Sequence, residues 1–127
     1  MKKHYRALVL ALPLSVLLNG CVIAVGDTDG SVHASWQKAE KENRDKIASL
    51  ALGQPLASVR ERMGQPDFSE SYREDGQDVL VLFYRTQRQD SDGTTTKDEC
   101  TPLVFKSGLL TGWGDTVYAQ VGGHPAR

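Results

Sequence analysis

The sequence predicts an α+β domain in which two N-terminal helices pack on an antiparallel sheet of about four strands. Apolar residues first recur every three or four positions, which is the period of a helix, and beyond residue 67 they recur at every second position, which is the period of a strand. Glycine and proline residues separate the patterns. Because the helical patterns all precede the strand patterns, we expect a meander covered on one apolar face by the helices.

The chain begins with a secretory leader. Lys2, Lys3 and Arg6 precede an apolar run over residues 7–18. This run is too short for a membrane-spanning helix, which needs about 18 to 20 apolar residues, and its length and basic start are typical of a signal peptide. The leader is predicted to cover residues 1–20.

Residues 18–21 resemble the lipobox of bacterial lipoproteins, with Leu18 three positions before Cys21 and Gly20 directly before it. The resemblance implies that the sulfur of Cys21 receives a diacylglycerol, that the leader is cut off before this residue, and that the new amino terminus is acylated, with palmitate as the expected acyl chain. The alternative is a structural thiol. At ~0.8 kcal/mol per buried methylene, more than one acyl chain anchors a protein stably. Because Val22 and not Asp follows the cysteine, the resemblance implies the outer membrane, on its periplasmic face.

Composition limits the remaining chain to one small domain. Removing the leader takes away three of the 15 Lys and Arg residues and none of the 16 Asp and Glu residues, which leaves a net charge of about −4. There is no basic stripe, so no nucleic-acid partner is expected. If Cys21 carries the lipid, Cys100 is the remaining thiol. We interpret it either as a buried small hydrophobic residue, or as a thiol that is reactive or forms an intermolecular disulfide. The predicted segments are a leader at 1–20, a tether at 21–34, a domain at 35–122 and a frayed end at 123–127.

The first helix follows the tether, whose small and polar residues show no sustained period and predict flexibility. From Trp36 onward apolar residues return at helical spacing, and the pattern predicts a helix that ends at about Ser49. The opposite face carries charges of both signs, which is typical of a solvated surface. The i, i+4 pairs expected on that face are Glu40 with Arg44 and Glu42 with Lys46.

A second, shorter helix follows Gly53 and Pro55, because a proline suits the first turn of a helix. Gly64 and Pro66 end it. The next pattern alternates and predicts a half-exposed edge strand, then a hairpin turn, then a central strand that is apolar on both faces. The strands are predicted at residues 68–72, 79–84, 101–106 and 110–113, the last one resuming at 117–121.

Residues 50–70 and the order of elements resemble the SmpA/OmlA family of small outer-membrane lipoproteins, which includes BamE. Gln54 and Pro55 stand where that family has Met-Thr, so the opening of the second helix departs from its pattern. The mature chain also resembles uncharacterised gammaproteobacterial lipoproteins. These resemblances imply a BamE-like fold and a role in envelope assembly or integrity, with an envelope protein as partner. The positions that match SmpA/OmlA are Gly53, Val59, Gly64 and Pro66.

The loop of residues 88–99 is similar to an EF-hand calcium loop, but Arg88 stands at its first ligand position and strands, not helices, are expected on both sides. No metal and no cofactor is therefore predicted. The loop is read as a solvated connection or as a partner-binding loop, since it is longer than a hairpin requires. The candidate partner-binding residues are Arg85, Arg88, Asp90, Asp92, Asp98 and Glu99.

No pair of nucleophile and base is visible, so no enzyme is predicted. The histidines are His4, His33 and His124, none of them in an element that would build a triad or a metal cluster. Trp113, between two glycines, is read as a core residue or as a ligand-stacking aromatic. Two functions follow: a non-catalytic interaction module of the envelope, or a protein that binds a small envelope ligand, lipid or glycan, beside Trp113.

Overall fold

The computed structural model describes residues 28–90 and 92–123. The leader, Cys21 and residues 124–127 lie outside these ranges. Within them, no helix is both long and apolar enough to cross a bilayer. The elements in chain order are α1 (Thr28–Ala48), α2 (Leu56–Met63), β1 (Phe68–Glu74), β2 (Gln77–Arg85), a 3-10 turn (Lys97–Glu99), β3 (Cys100–Lys106), β4 (Leu109–Trp113) and α3 (Asp115–Gln120).

The α+β class and the antiparallel meander are confirmed. The four strands lie in the order β1-β2-β3-β4, and each pairs antiparallel with the next. Strand β1 is an edge strand with alternating half-buried and exposed residues, while β2 is buried on both faces from Val81 onward. Asp75 and Gly76 both have positive φ angles, as a tight two-residue hairpin turn requires.

The two N-terminal helices cover one face of the sheet, as predicted. The end of α1 and the apolar stripe of α2 pack on alternate residues of β2 and β3 and on Leu110 of β4. Arg44 and Asn43 of α1 donate hydrogen bonds to the carbonyl oxygens of Thr86 and Arg85, which join the middle of this helix to the end of β2. The core on this face consists of Ile47, Leu50, Val59, Met63, Leu82, Tyr84, Leu103, Phe105 and Leu110.

A third helix covers the other face, which corrects the prediction that the last strand resumes at residues 117–121. Gly114 has a φ of 96° and turns the chain out of β4 into α3. Tyr118 of α3 then packs edge-on against Phe83, with ring centroids 5.3 Å apart. A strand buried on both faces needs a cover on each, and α3 supplies the second one. The core here consists of Val79, Val81, Phe83, Cys100, Val104, Tyr118 and Val121.

The start of the first helix differs from the sequence prediction, and the connection after that helix makes backbone contacts that the sequence did not predict. Helix α1 begins at Thr28, so residues 28–34 belong to a helix and not to the predicted tether. The connection between α1 and α2 lies along β4, where Pro55 and Leu109 form an isolated bridge: the Gly53 N–H donates to Leu110 O at 2.7 Å, and the Leu110 N–H donates to Gln54 O at 2.9 Å. This arrangement leaves two large apolar side chains exposed, Leu52 at 66% and Leu109 at 49%.

Candidate functional site

A buried ion cluster surrounds Arg85 at the end of β2. The Arg85 Nε lies 2.9 Å from Glu40 Oε1 of α1, and Nη1 lies 2.9 Å from Glu99 Oε2. Nη1 also donates to the Thr95 hydroxyl at 2.8 Å, and the guanidinium carbon lies 4.3 Å from the centre of the Trp36 ring. We call these five residues the Arg85 cluster. The three charged side chains are 7%, 8% and 1% exposed, so the charges are shielded from solvent, while Trp36 and Thr95 are half-buried.

Glu99 also orders the loop between β2 and β3. Its carboxylate accepts the backbone N–H groups of Gln89, Asp90 and Thr96, at 3.2 to 3.3 Å. Thr96 and Glu99 form a capping box on the 3-10 turn. One buried carboxylate therefore holds both the arginine and the backbone of the loop.

The candidate partner-binding residues divide into two groups. Arg85 and Glu99 are buried in the cluster, so they cannot lie on a docking surface of the folded domain. Asp92 is exposed and accepts the Thr94 N–H at 2.9 Å, and Asp98 accepts a hydrogen bond from the Thr96 hydroxyl. The remaining two are Asp90, which is exposed, and Arg88, which is half-buried. Docking on this loop stays a prediction, now restricted to its outer residues.

The helical ion pairs predicted for α1 are wrong. Glu40 pairs with Arg85 and not with Arg44, because packing against β2 removes Glu40 from the solvated face. Glu42 lies 3.8 Å from Lys38, one turn before it, and not from Lys46. In the described parts of the chain, Arg44 has no carboxylate within ion-pair distance.

A second site lies next to Arg44, in a cleft of about 230 Å³ that opens to solvent. We call it the Trp113 cleft. Helix α1 forms one wall, β4 carries Trp113 opposite Leu103, and the ends of β2 and β3 form the floor. The lining residues are Arg44, Ile47, Ala48, Thr86, Thr101 and Trp113.

The apolar side of this cleft comes from Ile47, Ala48 and the indole of Trp113. Ile47 and Trp113 pack in the core under the helices, which holds both side chains in place. Trp113 is half-buried, so part of its ring remains accessible. Trp113 is therefore compatible with both interpretations that the sequence left open, a core residue and a ligand-stacking aromatic.

The polar side of the cleft is rich in hydrogen-bond donors. Arg44 is exposed, and Nη1 donates to the Thr86 carbonyl oxygen. A guanidinium has five N–H groups, so this bond leaves others for a ligand. The hydroxyl oxygens of Thr86 and Thr101 lie 2.7 Å apart, and because one bond uses one of their two hydrogens, the second hydrogen is available as well.

The indole N–H of Trp113 adds a further donor. No described residue accepts a hydrogen bond from it, and it is not a buried unsatisfied group. An indole N–H is a donor only. Together with the guanidinium and the hydroxyl pair, it makes the cleft complementary to a ligand that carries acceptor atoms.

Sequence reasoning named Trp113 but missed Arg44, Thr86 and Thr101. The helical period of α1 predicted an exposed ion pair between Arg44 and Glu40. Arg44 was therefore not recognised as a cation available for a ligand. Thr86 follows β2 and Thr101 lies in β3, so only strand pairing brings the two hydroxyls together. A prediction of the pairing register between β2 and β3 would have indicated that Thr86 and Thr101 lie close together.

Cys100 is not a reactive thiol in the folded domain. It is buried, it pairs with Arg85 across β2 and β3, and its Sγ lies 3.5 Å from the Thr96 carbonyl oxygen. Burial raises the pKa of the Cys100 thiol to about 12, with the carboxylate of Asp67 adding to the rise. The thiol is therefore protonated at neutral pH, which favours the reading of Cys100 as a buried small hydrophobe.

Another cleft, of about 360 Å³, lies on the face covered by α3. Its polar side chains are bonded to each other: Glu70 accepts hydrogen bonds from the Tyr118 hydroxyl and from the Lys97 ammonium group. The Tyr72 hydroxyl donates to the Val121 carbonyl oxygen. A ligand would have to replace these bonds, so this cleft is a weaker candidate than the Trp113 cleft.

Comparison with known proteins yields one family. The model described as "Protein of unknown function (DUF3192)" matches residues 19–120. No curated protein and no solved structure matches the chain. The relationship to the SmpA/OmlA family stays a prediction.

Proposed function

We propose a function for this chain, which belongs to the DUF3192 family, from the chemistry of its own residues. It is a non-catalytic binding protein of the cell envelope, anchored at Cys21 to the periplasmic face of the outer membrane, and it binds a small envelope ligand in the Trp113 cleft. The anchor rests on the leader and lipobox in residues 1–21. The binding role rests on the cleft.

The observation that supports binding is the set of donors around the cleft that the folded domain leaves unused. Polar side chains inside a domain normally find partners within it, and in the Arg85 cluster the only buried side-chain nitrogen or oxygen without one, among the described residues, is Nη2 of Arg85. The residues around Trp113 carry donors for which no described residue supplies an acceptor: the N–H groups of Arg44 other than the one bonded to Thr86, the indole N–H, and one hydroxyl hydrogen of the threonine pair. A few converging polar groups in an apolar concavity are the usual features of a ligand site.

Site-specific crosslinking in intact cells tests this proposal. A photoreactive amino acid replaces Ala48, which is exposed and lines the cleft. We expect a low-mass adduct on the protein after irradiation. The same amino acid at Glu61, an exposed position on α2, is the matched control. If position 48 gives no more adduct than position 61, the cleft is not the binding site.

The anchor has a separate test. Replacing Cys21→Ser removes the sulfur that carries the lipid, so we expect the variant in the soluble periplasmic fraction and the wild-type chain in the outer-membrane fraction. Cys100→Ser is the control, because this thiol is buried and lies far along the chain from the lipobox. Equal recovery of the Cys21 variant in the membrane pellet would contradict the anchor.

A second candidate function, the interaction module, is favoured by the exposed apolar side chains of Leu52 and Leu109. They lie on neighbouring segments, because Pro55 and Leu109 form a bridge and Gly53 is bonded to Leu110. Large apolar side chains exposed together mark protein-contact surfaces more often than isolated ones do. A crosslinker at Leu52 that captures one envelope protein in stoichiometric amounts, combined with no adduct at Ala48, would favour this function over ligand binding.

A further inference from the structure

We infer that the ligand of the Trp113 cleft is a compact ring that bears one carboxylate, of the kind found in an acidic sugar. Arg44 holds the carboxylate and Trp113 faces the ring. This inference rests on the proposed function and specifies its ligand class. Three observations support it: the missing partner of Arg44, the shape of the cleft and the chemistry of its other donors.

The first observation concerns charge. Arg44 occupies the helical position from which it would normally pair with Glu40, but Glu40 is buried against Arg85. The backbone carbonyl of Thr86 holds the Arg44 guanidinium at the cleft without neutralising it. Asp45, the adjacent carboxylate, pairs with Lys41 at 2.6 Å. Arg44 is therefore the one charged residue among those that line the cleft, and its planar fork matches a carboxylate.

The second observation concerns size. At about 230 Å³ the cleft is smaller than the roughly 300 to 1,000 Å³ of sites for drug-sized ligands. A single ring fits this space better than an extended acyl chain does. Trp113 is half-buried, and an indole ring is flat and largely apolar, so the C–H face of a pyranose can pack on it.

The third observation concerns polarity. A purely apolar carboxylate would leave the indole N–H of Trp113 and the spare hydroxyl hydrogen of the Thr86–Thr101 pair without acceptors. Leaving donors unpaired in a covered site costs binding free energy. A sugar supplies hydroxyl and ring oxygens as acceptors, so it satisfies these donors as well as Arg44.

Nuclear magnetic resonance titration of the indole N–H signals tests the inference. The chain has two tryptophans, and Trp113→Phe identifies which signal belongs to the cleft. The probes are glucuronate and glucose, which differ only by a carboxylate in place of a CH₂OH group, and N-acetylalanine, which has a carboxylate but no ring. We expect glucuronate to shift the Trp113 signal with a Kd on the order of millimolar, as for other small fragments.

Glucose should bind at least about tenfold more weakly, since hydrogen bonds to a charged group are stronger than neutral ones. Added salt should weaken glucuronate binding but leave glucose binding unchanged. Equal affinity for glucuronate and glucose would contradict recognition of the carboxylate. Equal affinity for glucuronate and N-acetylalanine would contradict recognition of the ring. In either case the cleft still binds a ligand and the proposed function stands. If none of the three probes binds, the acidic-sugar class is overturned, and the adduct at Ala48 decides the function independently.

Two variants with the same charge change then separate a direct contact from a general charge effect. Arg44→Gln should weaken glucuronate binding about tenfold and leave glucose binding unchanged. Arg73→Gln, at an exposed arginine paired with Asp78 beside the β1–β2 turn, should change neither. Equal weakening in both variants would overturn the role of Arg44. A disaccharide that ends in glucuronate distinguishes the sources: binding at least as tight as that of glucuronate indicates a glycan end, and weaker binding indicates a free acid.

Discussion

The Arg85 cluster and the Trp113 cleft are built from the same pair of residue types at the same end of the sheet, yet they differ in what the fold leaves available. Arg85 has two carboxylates, a hydroxyl and the face of Trp36 as partners, all within the domain. Arg44 has one backbone carbonyl as a partner and lies beside a half-exposed Trp113. Burial and the supply of partners, not residue type, therefore distinguish a structural arginine from a candidate binding arginine.

The two sites also depend on each other through Glu40. Because Glu40 is taken into the Arg85 cluster, it is not available to Arg44 one turn later on α1. The cluster fixes α1 on β2 and orders the loop through Glu99. The contacts that bury the Arg85 cluster therefore also leave Arg44, in the Trp113 cleft, without Glu40 as a carboxylate partner.

The largest effect is expected from removing the arginine of the closed site. Arg85→Ala leaves Glu40 and Glu99 buried without their cation, and breaking a buried ion pair in this way costs about 3 to 5 kcal/mol. Urea unfolding measures the loss. The matched variant Arg44→Ala, at an exposed arginine, loses one hydrogen bond to the Thr86 carbonyl oxygen and should lower the free energy of unfolding by no more than about 1.5 kcal/mol. Similar losses of unfolding free energy in the two variants would contradict the distinction between a structural Arg85 and a binding Arg44.

A smaller effect is expected for the coupling between arginine and tryptophan. A double-mutant cycle of Trp36→Leu with Arg85→Met should give a coupling free energy of about 1 to 2 kcal/mol, because the cation lies over the ring and is shielded from water. The corresponding cycle of Trp113→Leu with Arg44→Met should give a coupling near zero in the absence of ligand. A larger value for the second pair would mean that the cleft is a second closed contact.

The smallest expected effect is the pH dependence that Cys100 adds to the closed site. Because burial raises the thiol pKa from 9.0 to about 12, folding favours the protonated form. Its contribution to stability is complete below pH 9 and is lost as the pH rises from about 9 towards 12. Tyr72 and Tyr84 also have raised pKa values, so the wild-type slope contains their contributions.

The difference between wild type and Cys100→Ala isolates the thiol. We expect the alkaline loss of unfolding free energy to be shallower in the alanine variant, measured by urea unfolding at several pH values. Labelling of Cys100 by a thiol reagent at neutral pH should be slow in the wild-type chain and faster in Arg85→Ala, where the cluster is broken. Rapid labelling of the wild type would show that the cluster does not close this part of the sheet.

Local pattern alone predicted the elements whose period is unambiguous. The alternation in residues 68–72 and the doubly apolar run in residues 79–84 indicated an edge strand and a central strand, and both are confirmed. The second helix was predicted from Pro55, Gly64 and one apolar stripe, and α2 spans Leu56–Met63. These features rest on backbone periods and on the restricted torsions of glycine and proline, which act over a few residues.

The helical form of residues 117–120 and the ion-pair partner of Glu40 depend on tertiary packing. Residues 117–121 carry apolar side chains that suit a strand or a helix, and the uncovered second face of β2 settled them as α3. Glu40 lies one helical turn from Arg44, but an exposed i, i+4 pair contributes only about 0.2 to 0.5 kcal/mol. Packing of α1 on β2 buries Glu40, and a buried carboxylate needs a cation, which among the described residues Arg85 supplies. Because that requirement acts between residues 45 positions apart, no local period in the sequence reports it.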